Sequence, residues 1–173
     1  MIIKVPKSSR KRALIIVDIQ HGFIKRWDKS FTKNLTSLFA TQNYDLYIEA
    51  TFHAEKNSIW DKQTGWIFPY EPTVPWVLEL LKGKKIIKIS KEKRSVFKGN
   101  KNLDVLLKKN SIEELHIVGF DTGSCVYATA QEAFDKGFFT YVIEECTGSS
   151  DGLQMHKNAI SVLRRLGMTN HSL

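Results

Sequence analysis

Ile117-Val118-Gly119-Phe120-Asp121-Thr122-Gly123-Ser124-Cys125-Val126-Tyr127-Ala128-Thr129-Ala130 joins an apolar run, a short polar turn and a stretch of small residues. The run reads as a strand that breaks at Gly119, and the small residues as a helix with Cys125 in its first turn. A thiol there lies near unpaired backbone N–H groups and the positive end of the helix dipole, and both favour the thiolate. The competing reading is an inert core thiol, since free cysteines are commonly buried.

Outward from this unit the chain alternates. Ala13-Leu14-Ile15-Ile16-Val17 is a continuous apolar run that suits a strand covered on both faces. Further strands are expected at residues 45–51, 85–89, 115–119 and 138–143. Helical patterns lie between them at residues 31–40, 75–81, 103–108, 124–136 and 153–166. Val126, Ala130 and Ala133 share one helical face with Phe134 beside them, and Ile160, Leu163 and Leu166 form a stripe on the last helix. Alternation of this kind predicts a three-layer α/β/α fold around a Rossmann-like parallel sheet of five to six strands, the sixth short or missing. The stretch from Phe52 to Pro75 reads as one long connection, the kind that shapes a pocket.

The 173 residues fit a single domain, 1–173, large enough to bury a core. No apolar run approaches the roughly 20 residues that span a bilayer, and Met1 to Lys7 lacks the apolar stretch of a signal peptide. A cytoplasmic protein with no membrane partner is expected, with Cys125 and Cys146 reduced. The net charge of +8 is read as a solvated basic surface. No zinc-finger spacing, RNP-like strand or helix-turn-helix accompanies it, so no nucleic-acid partner is expected.

In an open parallel sheet ligands gather at the carboxyl ends of the strands. Asp18 ends the first predicted strand, Lys91 follows the third, and Cys125 opens the helix after the fourth. A carboxylate, an ammonium and a thiol at one sheet edge form a coherent nucleophilic set: base, electrostatic partner and nucleophile. Each has a bland rival. Asp18 would serve as a loop cap, and Lys91 belongs to a charge run with Lys93, Arg94 and Lys98, in which Lys93 is the next candidate for its role. Cys146, His116 and His156 lack a chemical context and read as structural.

The chain resembles the isochorismatase-like cysteine hydrolases, which include nicotinamidases and carbamoylsarcosine amidases. The resemblance runs over about residues 12–165. It rests on Leu14-Ile15-Ile16-Val17-Asp18-Ile19-Gln20 with Gly22-Phe23, on Lys91-Glu92-Lys93-Arg94-Ser95-Val96-Phe97, and on Val118 to Val126 with Thr129 to Ala133, in that order. It implies that Asp18 is the general base, Lys91 the electrostatic partner and Cys125 the nucleophile. It implies a cis bond at Phe120-Asp121 that aims the amide of Asp121, with that of Cys125, at an oxyanion. It further implies a small-molecule substrate, a thioester-type intermediate and a homo-oligomer.

The chain departs from nicotinamidases at their metal cluster. His53 remains, but Thr51 stands where the family's carboxylate would be, and Asn57 and Ser58 follow without a second histidine. No metal and no cofactor are expected. Gly123 also departs, since many members carry Asp or Asn there. Phe23, Phe52, Trp60 and Trp66 are candidate pocket walls, with Phe68, Tyr70 and Trp76 nearby. The sequence thus favours a metal-independent cysteine hydrolase of a small amide, carbamoyl or related C–N bond. The rivals are a catalytically silent binding or scaffold protein, an isochorismatase-type hydrolase, and a nucleic-acid binder.

Overall fold

The computed structural model describes residues 3–24 and 29–171. Five parallel strands form one sheet: β1 (Arg12–Val17), β2 (Leu46–Phe52), β3 (Ile86–Lys91), β4 (Glu114–Phe120) and β5 (Phe139–Gly148). Their order is β3-β2-β1-β4-β5, so the chain reverses its direction of growth between β1 and β4. The sixth strand reduces to a single parallel bridge, Val142 to Thr169. Met1 and Ile2, part of the N-terminal reading, lie outside the described residues.

Alternation along β1 explains the layers. Ala13, Ile15 and Val17 point into one apolar cluster with Leu103 and Leu107, Val126, Ala130 and Ala133, and Ile160 and Leu163. Leu14 and Ile16 point into the other, with Phe31, Leu35 and Leu38 and with Val77. The first cluster is covered by α5 (Leu103–Lys109), α6 (Tyr127–Asp135) and α7 (Leu153–Arg165), the second by α2 (Lys29–Thr41) and α4 (Pro75–Leu80). A short helix α1 (His21–Ile24) follows β1, and α3 (Ile59–Thr64) interrupts what reads in the sequence as an unbroken connection. Ser58 caps α3 by accepting from the Asp61 amide, and Gly65 ends it in the left-handed region, a local start and stop.

Three details differ from the sequence reading. Gly119 does not end β4, which continues to Phe120. A Cβ at Gly119 would lie 2.0 Å from the Val17 carbonyl oxygen, and the residue sits at φ 112°. The glycine therefore admits close approach of β1 inside the strand. Beside it the pairing of β4 with β5 shifts from Ile117–Val142 to Gly119–Thr147, a bulge that lets β5 run ten residues. On α7, Ile160 and Leu163 are buried as expected, but Leu166 lies beyond the helix end and is exposed, as is Phe134 on α6.

Candidate active site

Asp18 follows β1 with φ 51°, a left-handed conformation that aspartate tolerates better than most residues. Its amide donates to the Ala50 carbonyl at 2.9 Å, and its carbonyl accepts from Gln20, also at 2.9 Å. Gln20 ties the same edge together. Its Nε2 donates to the carbonyls of Phe52 (3.0 Å) and Glu71 (2.8 Å), and its Oε1 accepts from the Phe52 amide at 2.8 Å. The ends of β1 and β2 and the start of the Glu71 segment are thereby fixed to one another.

Lys91 is the last residue of β3, where residue 52 of β2 is its register partner. Its Nζ donates to Asp18 Oδ2 at 2.7 Å, with both side chains buried. Lys93, the rival in the charge run, is exposed. The loop after Lys91 is held in place by short bonds. Ser95 Oγ accepts from the Phe97 amide, Thr129 Oγ1 accepts from the Val96 amide at 3.1 Å, and Thr129 donates to the Cys125 carbonyl at 2.7 Å. A Cβ at Gly99 would lie 2.8 Å from Cβ of Lys91, so the lack of a side chain there lets the loop close over the lysine.

Cys125 lies in a π-helical turn, Thr122–Val126, that precedes α6, rather than in the first turn of a regular α-helix. The turn is made by the Val126 amide donating to the Asp121 carbonyl at 3.0 Å. Such turns recur at functional sites because they redirect a side chain without ending the helix. The Phe120–Asp121 peptide bond is cis. The Asp121 carboxylate accepts from the amide and the hydroxyl of Ser150, which fastens the loop after β5 to the turn. Thr122 Oγ1 donates to the Gly148 carbonyl at 2.8 Å and is hydrogen-bonded to His156 Nδ1, also at 2.8 Å. His156, without a visible partner in the sequence, therefore supports the cysteine turn. A Cβ at Gly123 would meet only Ala159 Cβ at 3.5 Å, an ordinary contact.

Asp18, Lys91 and Cys125 therefore share one buried spot. Burial raises the Asp18 carboxyl above its ordinary value although Lys91 opposes it. Burial alone would discharge Lys91, but Asp18 and Cys125 hold its ammonium above the ordinary range. The thiol itself departs from the sequence expectation. Burial, and then the Asp18 carboxylate, push Cys125 up to about 12, Lys91 offsetting only part of this. Both causes act against the thiolate that the helix end was expected to favour. Asp18 Oδ1 has no fixed hydrogen-bond partner, and the Cys125 thiol interacts with the same carboxylate. A hydrogen-bond acceptor thus lies beside the thiol.

Above the thiol is a cavity of about 310 Å³ lined by Phe23, Phe52, Trp60, Thr64, Trp66, Arg94, Asp121, Ser124, Cys125 and Asp151. All four candidate wall residues meet the cysteine there. Phe52 packs edge-on against Trp60 at 5.2 Å, Trp60 stacks with Trp66 at 6.4 Å, and Phe23 stacks on Phe68 at 4.5 Å. Trp76 packs instead against Phe31, and Tyr70 is exposed. Thr64, Arg94, Ser124 and Asp151 are wall residues the sequence reading missed. Arg94 and Ser124 stood within quoted motifs, whereas Thr64 and Asp151 carried no local signal.

The remaining candidates lie elsewhere. Cys146 is wholly buried in the opposite apolar layer, where burial pushes its thiol far up. His116 is buried between Tyr44 Oη and Glu114, at 2.9 Å from each. His53 has Ser90 Oγ at 3.1 Å on Nδ1 and Glu92 at 3.4 Å on Nε2. With Thr51 beside it, this donor set does not fit a metal site; among the described residues no three His, Cys, Asp or Glu side chains converge as ligands.

A carboxylate, an ammonium and a thiol thus converge at the carboxyl edge of a five-stranded parallel sheet. The model of the isochorismatase domain matches residues 12–171, and the chain belongs to the isochorismatase family. YrdC of Bacillus subtilis (strain 168), an uncharacterized isochorismatase family protein, is 30% identical over 149 residues, covering 80% of this chain and 74% of its own. Among solved structures, nicotinamidase SaPncA of Staphylococcus aureus is 25% identical with a TM-score of 0.70, over 92% of this chain and 98% of its own. An isochorismatase-like hydrolase of Alkaliphilus metalliredigens is 18% identical with a TM-score of 0.73, over 94% and 93%, a likeness of fold. No described helix is long and apolar enough to cross a membrane.

Proposed function

We propose that the protein is a metal-independent cysteine hydrolase of a small amide, carbamoyl or related C–N bond, with Asp18 as base, Lys91 as electrostatic partner and Cys125 as nucleophile. The observation that carries this reading is the buried Lys91–Asp18 ion pair, 2.7 Å long, adjoining a thiol on the floor of an aromatic cavity. Two ionised groups without access to water are costly to bury unless they do chemistry or hold one another, and here they also flank a nucleophile.

The thiol's high pKa gives the order of events. Asp18 takes the Cys125 proton as the sulfur attacks the carbonyl carbon, and the carbonyl electron pair moves onto oxygen. The amides of Asp121 and Cys125 face that oxyanion in this reading, and Lys91 keeps the carboxylate ionised until the proton arrives. The intermediate collapses, the C–N bond breaks, and Asp18 returns its proton to the departing nitrogen, which leaves as ammonia. Water then attacks the thioester and loses a proton to Asp18. The C–S bond breaks, the sulfur is reprotonated, and the acid is released.

Nicotinamide is disfavoured as substrate by Thr51 and by the engagement of His53 with Ser90 and Glu92. A vinyl-ether hydrolysis of the isochorismatase type does not call for the thiol at position 125. A silent scaffold would not need the three groups together. The chain is read as a cytoplasmic homo-oligomer acting on a small molecule without a cofactor.

The test is ammonia release over a panel of small amides, ureas and carbamoyl compounds. Cys125→Ala is expected to lower turnover by at least about 10³-fold, the scale of losing a nucleophile. Release that survives Cys125→Ala, or no release from any member of the panel, overturns the reading.

A further inference from the structure

We propose that Arg94 selects a substrate bearing a single carboxylate, held at its guanidinium while the scissile group lies over Cys125; this rests on the hydrolase reading above. The observation is the division of cations in the site. Lys91 is buried and bound to Asp18, so its charge belongs to the reacting groups. Arg94 stands on the cavity wall with its guanidinium carbon 4.5 Å from the centre of the Trp60 ring. Among the described residues no carboxylate lies within ion-pair distance of it.

The indole that carries Arg94 is itself fixed. Trp60 Nε1 donates to the Glu92 carbonyl at 2.7 Å, and its ring is packed by Phe52 and Trp66. A guanidinium laid on an immobile aromatic face keeps its N–H fork in one plane, the arrangement that suits two parallel bonds to a carboxylate. Asp151 supplies the opposing sign. It lines this cavity and also the adjoining one formed by Gly22, Phe23, Gly65 to Phe68 and Ser150, whereas Arg94 also lines the space beside Ile59, Gln63 and Lys93. Arg94 and Asp151 thus line the cavity together but open onto different neighbouring spaces. A monoanion held at Arg94 presents its neutral amide end toward Asp151, and a second negative charge there is repelled. The net charge of +8 adds a favourable field for an incoming anion.

The experiment compares malonamate, succinamate and glutaramate with the neutral amides of matching chain length, propionamide, butyramide and valeramide. Wild-type kcat/KM is expected to favour at least one of the carboxylates. Arg94→Gln should reduce the ratio of charged to neutral kcat/KM by about 10–100-fold, mostly through KM, as for loss of charge-assisted hydrogen bonds. Arg94→Lys should restore part of it, and Lys93→Gln should leave the ratio as in the wild type. An unchanged ratio in Arg94→Gln, with ammonia still released, overturns the inference and leaves the hydrolase reading standing. Succinamate binding, read by tryptophan fluorescence, separates the two failures. If no amide is hydrolysed but Arg94→Gln weakens binding by the same factor, the anion site stands and the amide chemistry falls. Equal binding to wild type and Arg94→Gln rejects the anion site whatever the turnover.

Discussion

Asp18 combines two demands that few residues meet: a left-handed backbone at φ 51° and a carboxylate in an interior that excludes water. Asparagine satisfies the first, so Asp18→Asn removes the charge and leaves the turn. It also leaves Lys91 as an unpaired buried cation. Asp18→Asn and Lys91→Met should each destabilise the fold by about 3–5 kcal/mol, and the double variant by clearly less than their sum, as urea unfolding will show. Additive losses would mean that the ion pair is not a unit. In the proposed mechanism Asp18 acts only when ionised, and burial raises its carboxyl from 3.8. Turnover should therefore fall on acidification at a pH above the ordinary carboxylate value. Lys91 is raised from 10.5, so its loss of charge should not limit turnover below that pH.

The elements place these residues through contacts between backbones. β4 approaches β1 so closely that Gly119 admits no Cβ, and the bulge beside it carries β5 onward to Ser149 and Ser150, where Asp121 holds the loop. Gly119→Ala combines a 2.0 Å clash with a positive φ and should cost about 4 kcal/mol or more, read as a lowered urea midpoint with unchanged m-value, or prevent folding. A loss within 1 kcal/mol would show that the two strands separate easily there. The helix signals at this scale were legible because they are local: α5, α6 and α7 follow their apolar spacing. The π-turn at Cys125 was not, since it arises from the Asp121 carbonyl accepting from residue 126 after the strand has been placed. Nor was the length of β5, which depends on a bulge of its own between Val142 and Thr147, opposite Ile117 to Gly119 of β4.

For the whole molecule, acid stability draws on two histidines, His116 in the core and the half-buried His156 beside the cysteine turn. Burial lowers His116 and His156 from 6.5, against opposing pulls from Glu114 and Glu144. The unfolded chain then binds more protons than the fold once the pH falls below 6.5. Their contribution is complete above that pH and is lost on acidification. Urea midpoints should fall steadily from pH 7 to pH 5.5, and less steeply in His116→Gln; a flat profile would contradict the burial of these rings. Below 4.5 the carboxyls of Glu114 and Glu144 add to the loss. Despite burial, bonds from His116 and Arg164 hold them below their ordinary values, and protonation removes that stability.

The sequence by itself determined the order of strands and helices, because period-two and period-3.6 patterns are properties of consecutive residues. It also determined the three chemical groups at strand ends, because Asp18, Lys91 and Cys125 stand in ordered motifs. Only the tertiary structure decided their electrostatic surroundings. Cys125 reads as a thiolate beside a helix end, yet dehydration by layers drawn from the whole chain, with Asp18 adjacent, pushes the thiol up. It alone also gathered Phe23, Trp60, Arg94 and Asp151 around that sulfur. Those residues come from four separate segments, and what brings them together is the packing of loops over one sheet edge, which no local spacing encodes.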